Sequence, residues 1–407
     1  MIQARLSIFI LTAAVFCAIA VSGQIGSNSD SRGKSMQKLE FEAPRFEFKS
    51  LDEMNIINYS GDSTRQVRAW QEDIELQADV AVYNSKLAEA RFHGGALFSD
   101  SLRNLAADTL IYYTGNREAL AVGNVIVTEK DRLFRAGKVR YRKALRLMEA
   151  FGSVYMHDDS VRSTVTGAEA VFNDSTGYGV VTGFPVLTRE DEIGSIIVIT
   201  CNDTLEIDKE QKIVRLWKNV VMTKDSLTVS SEQAVYDDKT ETVILTGMPV
   251  SRLVTYHAPD NAASELKMVS TVTGDSMRVF LSNRKVTGVE VIGAAHSTTV
   301  SRDTTGAVYD RSIIDSTVMR LKMNDDQVAL VTAEGTARSY YHRAVLENKD
   351  GMFVNEASGD TIYFFFEEGT ISQMRITGFA GTGARGKYYG FEPAPESAEE
   401  DSVEMNE

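Results

Sequence analysis

The sequence predicts an all-β chain: about nine tandem hairpins folded together into an elongated, open V. Three observations carry this expectation. Val, Thr, Ile and Tyr fall in short runs and long helical stripes are missing. One hairpin-like pattern recurs along most of the 407 residues. A glycine also sits at a fixed place in the returning half of most copies.

The copy at 105–127, "LAADTLIYYTGNREALAVGNVIV", shows the unit. An extended arm ends in Tyr112, a turn follows at Thr114, Gly115 and Asn116, and a second arm is broken at Gly123. Aligned on an acid or its equivalent, with a large apolar residue four positions on, the copies read Asp79/Tyr83, Asp108/Tyr112, Gly137/Tyr141, Ala168/Phe172, Asp203/Ile207, Glu232/Tyr236, Asp275/Val279, Asp315/Met319 and Asp360/Phe364. The shortest steps are 29 residues (79 to 108, 108 to 137), and the longer ones fall at turn-rich stretches such as 257–264 and 301–312.

Gly123, Gly152, Gly183 and Gly247 each lie 15 residues past their anchors. The first copy has Gly94-Gly95 and the fifth has Lys218-Asn219 instead. Without a Cβ, a strand bends or bulges there without a clash. Pro185 and Pro249, two residues past the glycine, cannot donate to a ladder and mark the same corner. A bend in every returning arm folds the sheet into a V with a slot between its halves. Within one arm, Ile74, Leu76, Ala78, Val80 and Val82 are expected on one apolar face, with Gln77, Asp79 and Tyr83 on the other. With strands about 4.8 Å apart, nine hairpins stack to a length on the order of 85 Å. The end strands are left open to strand addition, and so to end-to-end self-association.

The flanks read differently. Residues 1–23 have Arg5, an apolar run from Leu6 to Val21 and small residues at Ser22 and Gly23, the pattern of a secretory signal peptide; a retained membrane anchor is the alternative. Cys17 follows Ala14-Val15-Phe16, a poor lipidation signal. Without the signal peptide Cys201 is the one cysteine, so no disulfide framework holds an exported chain together. Residues 24–73 fit the repeat poorly and are expected to be a linker or capping segment, with 74–386 the repeat domain. Net charge is -14, and seven acids with no Lys or Arg follow Lys387, so 387–407 is expected to be a disordered acidic tail. The remainder has no dense basic patch, which argues against nucleic acid as a partner.

No chemistry-bearing constellation stands out. "GTGARG" (381–386) has the letters of a dinucleotide fingerprint but no helix pattern after it. The five histidines lack ligand spacing, "HDD" (157–159) reads as a solvated turn, and Cys201 reads as a buried inert thiol. The repeated acids come one per unit rather than in ligand clusters. No G-x-S-x-G, H-E-x-x-H or C-x-x-C occurs, so no enzyme, metal or cofactor is expected.

The unit A-D-x-x-x-Y … G-x-V-x-V behind a signal peptide resembles the LptA/OstA family of lipopolysaccharide-transport proteins. "LQADVAVY" (76–83), "LAADTLIYY" (105–113), "AVGNVIV" (121–127) and "SGDTIYFFFEEGTISQMRITGFAGTG" (358–383) carry the resemblance, which covers roughly 74–386. It implies an elongated open (V-shaped) β-jellyroll located in the periplasm, either free there or associated with the outer membrane. Its apolar groove would hold lipopolysaccharide acyl chains and carry or bridge that lipid toward the outer membrane, with other lipopolysaccharide-transport proteins joined by edge-strand addition. The chain has more units than a minimal bridge protein needs, and it lacks the amphipathic strand series of an insertase barrel.

By alternation, the groove candidates are Val80, Val82, Ile111, Val125, Val127, Val154, Met156, Leu187, Val220 and Met222. Plain core packing explains them too. Tyr83, Tyr112, Tyr141, Phe172 and Tyr236 either line the slot or pack between units. The rival reading is a structural β-solenoid or surface scaffold with a filled interior and no lipid cargo. Bulky residues on both faces of "TIYFFFEE" (361–368) lean that way.

Overall fold

The structure, a computed structural model, describes residues 38–51, 54–190, 194–257, 266–282, 285–324, 327–343, 353–367, 370–378 and 383–390. The segment expected to be a signal peptide lies outside the described residues. The described residues form 28 strands and one 3-10 turn (Lys143–Leu145), and every pairing whose register is described is antiparallel. The described residues divide into two compact units, a larger one within 38–249 and 278–286 and a smaller one within 250–277 and 287–390.

The larger unit is a bent sheet of consecutive hairpins. Its bend comes from the backbone at each corner. Gly123 and Asn124 take φ of 81 and 46, two successive left-handed residues facing the single anchor Asp108. A Cβ on Gly123 would lie 2.3 Å from Asp108 Oδ2. The same two-residue left-handed step recurs at Gly94/Gly95, Gly152/Ser153, Gly183/Phe184, Lys218/Asn219 and Gly247/Met248. Lys218 (φ 63) therefore stands in for glycine, and its ammonium reaches the anchor Asp203 at 3.0 Å. Gly123→Ala is expected to cost about 1–2 kcal/mol, the usual strain of a left-handed L-residue. A lower urea midpoint with an unchanged m-value would register it.

The corner inverts the alternation. Ile74, Leu76 and Ala78 are buried, but past Asp79 the buried residue is Ala81, and Val80 is exposed. Leu105 and Ala107 are likewise followed by Leu110 and Tyr112. The expectation of one continuous apolar face from Ile74 to Val82 is thus corrected: one residue is absorbed at the bulge, and the inward set shifts by one position.

Two arms result, each with an apolar inner face. In the arm beyond the corners, a spine runs Phe92, Leu110, Ala121, Val139, Ala150, Ala170, Val181, Leu205, Leu216, Ala234, Leu245, each residue directly opposite the next. All eleven are at most 5% exposed. Nearer the rim of that arm lie the anchor partners Tyr112, Tyr141, Phe172, Ile207 and Tyr236, which point inward with the spine. In the other arm the facing row runs Phe98, Leu105, Val127, Phe134, Met156, Val165, Leu187, Ile199, Met222, Val229. The two rows meet in edge-to-face pairs, Phe98 with Tyr141 (centroids 5.9 Å apart) and Phe134 with Phe172 (6.1 Å).

The described part of 24–73 is built into this unit rather than linking to it. Strand Glu40–Glu42 pairs with Val67–Gln71, and Met54–Ser60 pairs with Val80–Asn84. Phe41 stacks on Tyr59 at 4.3 Å and lies 6.3 Å from Phe92, so it caps that end of the interior.

The smaller unit repeats the corner in longer strands at Gly293/Ala294 and Gly335/Thr336. The residue facing Gly335 is Thr317, whose Oγ1 would lie 2.7 Å from an added Cβ, so the eighth anchor is Thr317 and not the expected Asp315. At the ninth, a Cβ on Gly378 would meet Gly383 and Ala384 rather than Asp360. Its inner row Ser270, Thr299, Ser312 is hydroxyl-bearing and buried, with Ser270 Oγ donating to Thr299 Oγ1 at 2.8 Å. In "TIYFFFEE", Ile362, Phe364 and Phe366 are buried, while Tyr363 and Phe365 stack on the other face. Strand Arg385–Gly390 pairs with Phe353–Glu367, which extends order past Lys387 and removes the helix a dinucleotide site at "GTGARG" would need.

Candidate lipid-binding lumen

The groove candidates separate into three groups. Val127, Met156, Leu187 and Met222 belong to one continuous apolar row. Val125, Val154 and Val220 are buried one step closer to the corner. Val80 is 39% exposed, and Val82 and Ile111 flank the inward Ala81, Leu110 and Tyr112, so these three lie on the outer face. The shift of alternation at Asp79 and Asp108 moved them there.

Between the arms is a cavity of about 140 Å³. Val127, Leu133, Phe134, Met148, Met156, Val161, Val165, Phe172 and Ile207 give it an apolar body. Arg103, Glu129, Arg132, Asp158, Asp174 and Lys209 ring its mouth, beside His157 and Tyr178. His157, expected in a solvated turn, ends strand Leu147–Asp158 and hydrogen-bonds Thr164 and Asp159, each at 2.9 Å.

Before the cavity the mouth is strapped shut. Turns of one arm reach turns of the other through Arg117 to Glu72, Lys143 to Asp73 (2.7 Å) and Asp100 (3.6 Å), and, at the edge of the cavity, Arg103 to Asp174, with Glu129 of Arg103's own arm beside it. Arg103 is almost wholly buried, its side chain 2% exposed, and lies 4.4 Å over the Tyr141 ring. Tyr141 Oη donates to Asp100 at 3.3 Å, and Tyr112 Oη donates to Gln71 at 2.6 Å. Burial pushes both phenols up, so they stay neutral donors. The V expected to be open is therefore closed over this stretch, because its rims carry opposite charges.

At the cavity the electrostatics change. Burial pushes Asp158 up, but hydrogen bonds from Ser160 and Arg132 and the Arg132 charge hold it below its ordinary value of 3.8, and so ionised. Burial pushes the Lys209 ammonium down, with Arg132 adding to the effect. Lys209 makes no ion pair with the described residues. Cys201 is buried, its thiol donates to Thr204 O at 3.3 Å, and burial raises it away from reactivity. Among the described residues no group of three or more His, Cys, Asp or Glu could hold a metal, and no helix is long and apolar enough to cross a membrane.

A hairpin sheet bent at regular corners around an apolar lumen defines a β-jellyroll. Residues 104–285 match the family described as LptA/(LptD N-terminal domain) LPS transport protein. The match spans 182 residues (285 − 104 + 1) of the 407 and takes in the cavity lining except Arg103, and most of the apolar row. A search of curated proteins gives no match.

Sequence reasoning missed the strap and the charged ring. Their partners are separated by up to 71 residues and obey no local period. The one available signal was an excess of paired charges in the turns, as in "QED" (71–73) and "GNRE" (115–118).

Proposed function

We propose that this chain binds lipopolysaccharide by its acyl chains in the lumen of the larger unit and carries or bridges it toward the outer membrane. The observation that carries the reading is the unbroken apolar row from Val127 through Met156, Leu187 and Met222, which opens into the cavity inside the family-matching segment. Burying each methylene stabilises by about 0.8 kcal/mol, so acyl chains bind there without specific polar contacts. A row of near-equal sites also lets the lipid move along it. The chain works in the periplasm after export, with other lipopolysaccharide-transport proteins docking on open strand edges. The strand Arg45–Leu51 pairs with Met54–Ser60 alone among the described pairings and exposes Phe46 and Phe48, which suits such addition or end-to-end self-association.

The packed, strapped stretch before the cavity favours a structural role for that stretch alone. Photo-crosslinking in cells separates the two readings. With a benzophenone residue at Val127, Met156 or Ile126, lipopolysaccharide adducts are expected at the first two and not at Ile126, which is 39% exposed on the outer face. No adduct at any position in a folded, exported protein would leave the filled scaffold as the function.

A further inference from the structure

The cavity mouth carries hydrogen-bond donors that the protein itself leaves unfilled. Arg103 uses its terminal nitrogen for Asp174 and Glu129, but its Nε is buried without an acceptor, in a side chain 2% exposed that lines the cavity. A buried, charged N–H without an acceptor costs free energy until something fills it. Lys209, on the opposite rim, is a cation that makes no ion pair among the described residues, whereas Arg132 is already held by Asp158 at 2.9 Å.

We propose that this cavity is a site for one alkyl chain bearing a singly charged oxyanion head, such as a long-chain carboxylate. The chain fills the apolar body and the head accepts from Arg103 Nε and Lys209 Nζ. Three rim carboxylates, Glu129, Asp158 and Asp174, balance the three cations, so a head with two charges is repelled where a head with one fits. The strap closes the lumen on one side of this point, which makes the site an end station for a single chain. The site stands on the cavity's own geometry, whichever lipid the lumen carries.

The test is displacement of Nile red from the full chain by dodecanoate, dodecanol, dodecyl phosphate at pH 8 and dodecyltrimethylammonium, all below their micelle concentrations. Dodecanoate is expected to displace the dye at concentrations about tenfold lower than dodecanol, the scale of one charge-assisted hydrogen bond. It should also outcompete dodecyl phosphate and the cation. Lys209→Met should abolish the preference over dodecanol while leaving dodecanol binding intact, and Arg103→Lys should weaken it. Met156→Trp, which fills the cavity, should abolish displacement by all four, with circular dichroism confirming the fold of each variant. Equal displacement by dodecanoate and dodecanol, or a preference that survives Lys209→Met, overturns the head-group site and leaves the acyl-chain reading standing. Tighter binding of dodecyl phosphate than dodecanoate overturns the single-charge selectivity. No displacement by any probe overturns both the site and an accessible lumen.

Discussion

Tyr141→Ala is expected to destabilise the larger unit by about 4 kcal/mol, within the range for removing a large buried ring. Three losses combine. The ring is 2% exposed and packs edge-to-face on Phe98 across the lumen, so its removal leaves a void between the arms. It also supports the Arg103 guanidinium 4.4 Å above it, and its hydroxyl donates to Asp100. Tyr141→Phe separates these contributions, because it keeps the ring and loses only the hydrogen bond, worth about 1 kcal/mol. Urea unfolding of the two variants reads the difference directly. Equal midpoints would mean that the ring does not hold the arms together.

Asp174→Asn is expected to cost about 3 kcal/mol, the lower end of the range for breaking a buried ion pair from one side. The asymmetry of burial sets the size: the Arg103 side chain is 2% exposed against 31% for Asp174, so the variant strands a buried cation rather than an exposed anion. Glu129, at 4.0 Å, offsets part of the loss. The exposed pair Arg162 with Glu190 lies within one arm and serves as the control, because disrupting it should change stability by less than about 1 kcal/mol. A similar small effect for both pairs would remove the strap as a structural element.

The repeat was legible in the sequence because its code is local. The interval of 15 residues from anchor to glycine names both sides of each corner, and even the exception at Lys218 adopts the left-handed backbone. Where the interval grows to 18, at Thr317 and Gly335, the acid nearest the expected place was the wrong anchor. The inner rows were only partly legible. Strict alternation holds on each side of a corner but not through it, so of the residues that alternation assigns to the groove, Val125 and Val127 are buried while Val80, Val82 and Ile111 lie on the outer face. The hydroxyl row Ser270, Thr299 and Ser312 lay hidden for another reason: Ser and Thr in a strand read as solvent-facing until a second arm covers them. The mouth of the lumen depends on pairs across the arms, which no window of the sequence contains.

The range of these contacts also orders the assembly of the molecule. Most described pairings in the larger unit join a strand to its neighbour in sequence, and the others skip only one or two strands, so hairpins can form one by one and zip together with little loop-closure entropy. The strap is different: Lys143 to Asp73 spans 70 residues and Arg103 to Asp174 spans 71. Neither can form until every hairpin between its ends is in place. A chain growing strand by strand therefore keeps its lumen open along one side while it folds, and locks that side last.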